Sequence, residues 1–174
     1  MLLNSLKKQI LRKKIDSKLR KVDSQLKDKS MPIKTVGCLI DGSLISNLSY
    51  FRELSSVLNV HTNNIFMLTY NDDKKAEPYS IGLTALRTSI SWKSDIVSDD
   101  AKEFMSRDYD LLINYFKKSN SVLGLISAHT NAFFRVGFET IDNRFNDLIF
   151  SSQMLEKDIF KIELERYLKI MNKI

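Results

Sequence analysis

The sequence predicts an α/β fold with a mainly parallel sheet. Three observations carry that expectation. Short apolar runs of buried-strand type recur at residues 35–40 (TVGCLI), 64–70 (NIFMLTY) and 111–116 (LLINYF). The first two are separated by residues 41–63, which have helical apolar spacing and the length of a βαβ crossover. The longest apolar segment free of charge, residues 119–134, then follows the third run directly.

That segment decides the topology. Residues 122–128, VLGLISA, read as a strand or as a helix, and periodicity alone does not separate the two. A strand beginning about five residues after LLINYF suits an antiparallel hairpin, because a parallel crossover needs about a dozen residues. A helix would start at Ser119 or Asn120, both good N-caps, and end near Asn131. It would turn Leu123, Ile126 and Phe133 or Phe134 to the sheet, with Val122 and Leu125 widening the stripe. Gly124 costs it about 1 kcal/mol relative to alanine. The helix is the favoured reading. Residues 133–138 then form the next strand, parallel to 111–115 through a right-handed crossover.

The remaining elements follow in chain order. Residues 2–29 read as one helix, with Leu3, Leu6, Ile10, Leu11, Ile15, Leu19, Val22 and Leu26 on one face. Lys7, Lys8, Arg12, Lys13, Lys14, Lys18, Arg20 and Lys21 occupy much of the rest. Pro32 disfavours helical geometry at the residue before it and ends this helix. A basic helical arm, residues 1–31, therefore precedes an α/β domain, residues 32–174. Strand 35–40 ends at Asp41-Gly42-Ser43, and helix 44–58 follows with Ser43 as its N-cap. After strand 64–70 comes a polar loop, 71–85, and a short edge strand, 86–92. Ser98 opens a helix through Met105, with Asp99 and Asp100 at its positive end. Asn146-Asp147 makes a turn before LIF. A last helix runs from Ser151 or Ser152 to about Asn172, its stripe being Leu155, Ile159, Ile162, Tyr167 and Met171. The whole is a three-layer, Rossmann-like sandwich preceded by a long basic N-terminal helix.

Composition narrows the class. A chain of 174 residues with 43% hydrophobic residues suits one domain with a real core. The net charge of +6 is unevenly placed. Residues 1–34 hold 11 Lys/Arg against 3 Asp, giving +8, and residues 35–174 hold 16 Lys/Arg against 18 Asp/Glu, giving −2. The single cysteine, Cys38, excludes an internal disulfide and a multi-cysteine metal site, and it fits a reducing compartment. Within VGCLI it reads as a buried small hydrophobe. No run approaches the roughly 20 apolar residues of a membrane span. Only Met1, Leu2 and Leu3 precede polar residues, so no secretory signal is expected. Asp16, Asp23 and Asp28 weigh against a transit peptide, and the bacterial cytoplasm is the expected location.

Ligands of open α/β sheets bind beyond the carboxyl ends of the strands. Asp41, Gly42, Ser43, Asn114 and Tyr115 are therefore the candidate pocket, with Asn71-Asp72-Asp73 and Glu139 at other strand ends. Asp41 and the amides of Gly42 and Ser43 would suit a phosphate or a metal-bound group. One glycine is not a phosphate loop, however, and a plain strand-to-helix turn capped by Ser43 is favoured. His61 and His129, the only histidines, have no second ligand at metal spacing, so no metal or other cofactor is expected. Ser127, His129 and Asp147 supply the residue types of a hydrolytic triad without any sign of its geometry. Arg135 reads as a buried cation paired with Asp110 or Asp147, ahead of an anion ligand.

The leading functional expectation is a non-enzymatic cytoplasmic binding protein. Its arm would dock on an acidic partner, RNA or a ribonucleoprotein first, because clustered cations release counterions from nucleic acid. The arm lacks Trp, Phe and Tyr, which makes a membrane surface the poorer partner. Two alternatives stand beside it: an enzyme acting on a small anionic metabolite at the strand ends, and a structural subunit meeting a protein partner through its terminal helices.

Four motifs carry a family resemblance: DLLINYF (110–116), FRVGF (134–138), NDLIF (146–150) and LERYLKIMNKI (164–174). With the basic N-terminal helix they resemble an uncharacterised family of small basic bacterial proteins, a domain of unknown function. The likeness runs from about residue 34 onward. It implies kinship and transfers no activity.

Overall fold

The computed structural model describes residues 2–23, 31–45, 47–73, 77, 79–91, 93–117, 120–151 and 157–174. Side chains are described over residues 9–19 of the first helix and from residue 158 of the last. The main elements are, in order, α1 (Leu2–Asp23), β1 (Val36–Asp41), α2 (Ser49–Leu58), β2 (Ile65–Asn71), β3 (Leu83–Leu86), α3 (Asp99–Met105), β4 (Asp108–Tyr115), α4 (Ser121–His129), β5 (Asn131–Phe138), β6 (Leu148–Phe150) and α5 (Lys157–Ile170). The strands form one six-stranded sheet in the order β3-β2-β1-β4-β5-β6. Every strand pair is parallel.

Both faces of the sheet are covered, and for that reason its strands are apolar on consecutive residues. In β1, Val36, Cys38 and Ile40 face a core shared with α2 and α5. Leu39 faces the other core, with α1, α3 and α4. On the α5 side, Tyr115, Phe138, Phe150 and Phe160 pack their rings at centroid distances of 5.4–6.4 Å.

The strand–helix–strand reading of the centre holds: β5 runs parallel to β4 with Leu111 opposite Phe134. The helix between them is shorter than expected. Asn120 caps it, its Oδ1 accepting from the Leu123 amide at 3.1 Å. The chain is extended again at Thr130. Residues 118 and 119 lie outside the described residues. Gly124 sits in mid-helix, where a Cβ would meet Ile15 Cδ1 at 3.7 Å and Phe145 Cζ at 3.8 Å, ordinary contacts. Gly124→Ala is therefore expected to stabilise the protein by about 0.5–1 kcal/mol in urea unfolding, because alanine removes the helix penalty without a clash.

Several local expectations are corrected. Ser43 does not cap α2: Asp41 caps a 3₁₀ turn, Gly42–Leu44, by accepting from the Ser43 amide, and α2 begins only at Ser49. The edge strand is β3, at 83–86 rather than 86–92; the supposed loop 71–85 ends inside it, and Trp92 lies outside the described residues. In α5 the inward residues are Phe160, Leu164 and Leu168, whose spacing puts them on one face. Ile159 and Ile162, expected there, face outward. Leu155 and the expected start of this helix fall outside the described residues. Ser98 caps α3 as expected, accepting from the Ala101 amide at 3.3 Å.

The described part of α1 packs on α4, burying Leu11 and Leu19. Lys14 Nζ donates to the Lys93 carbonyl at 2.9 Å and to Asp95 Oδ1 at 2.6 Å. Arg144 holds Asp16 at 2.7 Å. Residues 24–30 of the expected helix lie outside the described residues, as do the side chains of Leu3, Leu6, Lys7, Lys8, Arg20, Lys21 and Val22.

Candidate ligand cleft at the switch point

The strand order reverses between β1 and β4, where the chain returns from the β3 edge to the middle of the sheet. In doubly wound sheets this is where ligands bind, outside the carboxyl ends of the strands. A cleft of about 720 Å³ opens there. Asp41, Gly42 and Ser43 enter it from the end of β1, and Tyr70, Asn71 and Asp72 from the end of β2. Arg87 comes from the turn after β3, and Asn120, Ser121 and Val122 from the start of α4. Tyr79 also lines it, and Leu11 and Ile90 add apolar wall.

Asp41 joins two of these elements. Its Oδ1 accepts from the Ser43 amide at 3.1 Å and from the Ser43 hydroxyl at 2.7 Å, while Oδ2 accepts from Asn120 Nδ2 at 3.0 Å. Both carboxylate oxygens are thus engaged within the protein. The Asn120 side chain spends its other atom on the Leu123 amide. The bond therefore fixes the first turn of α4 to the end of β1. The amides of Ser121 and Val122 open that helix and have no intrahelical acceptor. They give the cleft a partially positive wall.

The opposite wall is phenolic. Tyr70 donates its hydroxyl to Asp72 Oδ1 at 2.7 Å. Burial, then that bond, push the Tyr70 phenol up, and nearby Arg87 pulls it the other way. The Tyr79 phenol is also raised by burial, against a hydrogen bond to Asn71 that lowers it. Both tyrosines stay protonated at neutral pH, as neutral hydrogen-bonding groups. Gly42 is required by this packing: a Cβ there would run into the Tyr79 hydroxyl and come within 2.9 Å of the Tyr70 carbonyl oxygen. Arg87 is exposed at the cleft mouth.

Of the five expected pocket residues, the structure brings Asp41, Gly42 and Ser43 together and leaves Asn114 and Tyr115 out. The side chains of these two residues turn onto the two packed faces of the sheet, one on each. Tyr115 is buried among Phe51, Phe138 and Phe160. Asn114 is fully buried, accepting from the Ser127 hydroxyl at 2.9 Å and donating to Asn146 at 2.7 Å. The phosphate role imagined for the Ser43 amide also falls away, since Asp41 takes that amide. Tyr70, Tyr79, Arg87 and Asn120 escaped sequence reasoning. Asn120 gave a signal only as a helix cap, Tyr79 lay in the polar loop, and Arg87 fell in the stretch read as an edge strand, which is a 3₁₀ turn.

The other sequence candidates resolve as structure. Ser127 is turned to Asn114, and His129 Nδ1 meets the Leu125 carbonyl at 2.9 Å, so no triad forms. Arg135 is buried with its guanidinium on the last turn of α4: Nη1 donates to the Ser127 carbonyl at 3.0 Å and Nη2 to the Thr130 carbonyl. Asp147 supports it electrostatically while binding the Arg135 amide at 2.9 Å. Asp110 instead binds the Thr35 amide at 2.8 Å. Cys38 is buried, which pushes its thiol well above the usual range and leaves it unreactive. Among the described residues no group of three His, Cys, Asp or Glu is placed to hold a metal, and no helix is long and apolar enough to cross a membrane.

Fold and cleft together define an α/β protein with a parallel doubly wound sheet and an open crevice at its switch point. The chain belongs to a family of unknown function, DUF6913, whose model matches residues 7–171. No curated protein and no solved structure matches it significantly.

Proposed function

We propose that the protein binds a small anionic metabolite, of mononucleotide size or less, in the switch-point cleft. One observation carries this reading: Arg87 and the first turn of α4 open into the same cleft, while both oxygens of Asp41 are already taken. The lining carries Arg87 against the carboxylates of Asp41 and Asp72, but Asp41 is engaged by Ser43 and Asn120 and Asp72 by the Tyr70 hydroxyl, so Arg87 and the start of α4 are the groups an anion would meet. About 720 Å³ lies within the range of small-molecule sites and favours a compact ligand. Leu11, Ile90 and Val122 offer an apolar surface to its uncharged part. A bacterial cytoplasmic setting, with the buried single thiol of Cys38 kept reduced, belongs to the same reading.

The test is a thermal-shift and calorimetric screen of phosphorylated and carboxylated metabolites against wild type and Arg87→Met. Arg87 is exposed, so the variant should keep wild-type stability. Binding of the anion should weaken about tenfold or more, the worth of about 1.4 kcal/mol or more from one charge-assisted contact. Ligands that bind wild type and Arg87→Met equally would rule the reading out.

A second reading, docking of RNA or a ribonucleoprotein on α1, is favoured by a separate observation. Leu11 and Leu19 are buried while Arg12, Lys13 and Lys18 stay exposed, so these cations face away from the body. Changing the three to Gln should then reduce the salt dependence of RNA binding, by about 0.7 in log–log slope for each phosphate no longer neutralised. An unchanged slope would dismiss it.

A further inference from the structure

We propose that α5 carries a self-association face, through which two copies of the chain pair antiparallel about a two-fold axis. Phe160, Leu164 and Leu168 turn inward and are fully buried. On the outer side Ile159, Ile162 and Ile170 are 42%, 62% and 65% exposed. At 100° per residue, Ile159, Arg166 and Ile170 project within about 40° of one another, flanked by Ile162 and Glu163. Isolated exposed apolar residues are common on soluble proteins, but here Ile159 and Ile162 adjoin and Ile170 follows about two turns on, beyond Arg166, along one side of one helix. Arg166 lies between Ile162 and Ile170 on this side, and Glu163, its side chain 19% exposed, pairs with it at 3.2 Å from the flank.

The order of apolar and charged residues selects the occupant. An antiparallel second copy, centred between Leu164 and Glu165, sets Ile159 of one copy opposite Ile170 of the other. It also sets Glu163 opposite Arg166, and the symmetry repeats both contacts. The stripe is therefore complementary to itself, which is the requirement of an isologous interface. A parallel pair would instead bring like charges together. The helix carries Lys157, Lys161, Arg166 and Lys169 against Asp158, Glu163 and Glu165, a nearly even balance that gives an anionic membrane little to attract. The face is one helix of 14 residues, about 21 Å long. With a helix about 10 Å wide, its face offers on the order of 200 Å², well under the roughly 800 Å² per partner of a stable complex, so the pairing should be weak and depend on concentration. α5 lies on the sheet face opposite α1 and α4, and contributes no residue to the cleft.

Sedimentation of the full chain from about 5 to about 500 µM, a range matched to micromolar association, tests this. Wild type should pass from monomer to dimer across the series. Ile162→Glu, at an exposed position, should raise the dissociation constant at least tenfold while circular dichroism stays unchanged. Glu163→Arg and Arg166→Glu should each do the same alone, since each puts like charges across the axis. Mixed together, these two single variants should associate again within about threefold of wild type, because one supplies two cations and the other two anions. A wild type that stays monomeric throughout overturns the proposal. So does a dimer indifferent to Ile162→Glu, or a mixture of the charge variants that remains monomeric.

Discussion

Phe138→Ala should destabilise the protein by about 3–5 kcal/mol, the usual range for emptying a buried phenylalanine site. Phe138 is fully buried, and its ring contacts Tyr115 at 5.4 Å, Phe160 at 5.4 Å and Phe150 at 6.4 Å. It thereby ties β4, β6 and α5 to β5. Tyr115 and Phe150 are held by the sheet and Phe160 by α5, which limits collapse into the space. Edge-to-face geometry adds to the effect of burial, as with the 86° angle to Tyr115. Such a cost is a large part of the 5–15 kcal/mol that stabilises an ordinary domain. In guanidinium unfolding the midpoint should fall sharply with little change in slope. Phe133→Ala is the control: the residue is 37% exposed, so the same deletion should cost far less. Equal costs at the two positions would show that the aromatic cluster is not packed as described.

Arg135→Met should cost about 1–3 kcal/mol, through the backbone it leaves behind more than through the charge. Arg135 is 3% exposed, and its guanidinium caps the Ser127 and Thr130 carbonyls where α4 ends. Burial lowers its pKa to about 10 despite Asp147, so it remains charged at neutral pH at a desolvation cost. Methionine removes that cost, which alone would favour the variant. The two carbonyls then lie inside the protein without that donor, and their penalty outweighs the relief. Arg135→Lys should rescue little, because a point charge cannot reach both acceptors as the planar fork does. Hydrogen exchange should report the weakening at the last turn of α4 before the rest of the helix. A variant as stable as wild type would mean that the guanidinium is not the cap.

The sheet was legible because its strands are buried on both faces and α4 is apolar almost all round. Residues 36–40 and 111–115 show the continuous apolar runs of central parallel strands, and Asn120 announces the start of α4. The outward side of α5 was misread because isoleucines at 159 and 162 are as apolar as the phenylalanine and leucines that pack. Nothing local shows that Phe160, and not Ile159, meets the aromatic cluster. The cleft was half legible. Asp41, Gly42 and Ser43 stand at a strand end that the topology rule singles out. Asn114 and Tyr115 also end a strand, but their side chains turn into its two packed faces, Asn114 to Ser127 of α4 and Tyr115 to Phe160 of α5. Arg87 and Tyr79 come to the cleft from turns around the edge strand β3, whose position depends on long-range pairing with β2.

The central claim is that the first turn of α4, the end of β1 and Arg87 form one anion site. An amide NMR titration with a nucleoside monophosphate reads it most directly. Saturable shifts should concentrate at Gly42, Ser121 and Val122, appear at Arg87, and shrink in Arg87→Met while the rest of the spectrum is unchanged. Shifts confined to the exposed cations of α1, or spread without saturation, would contradict the account.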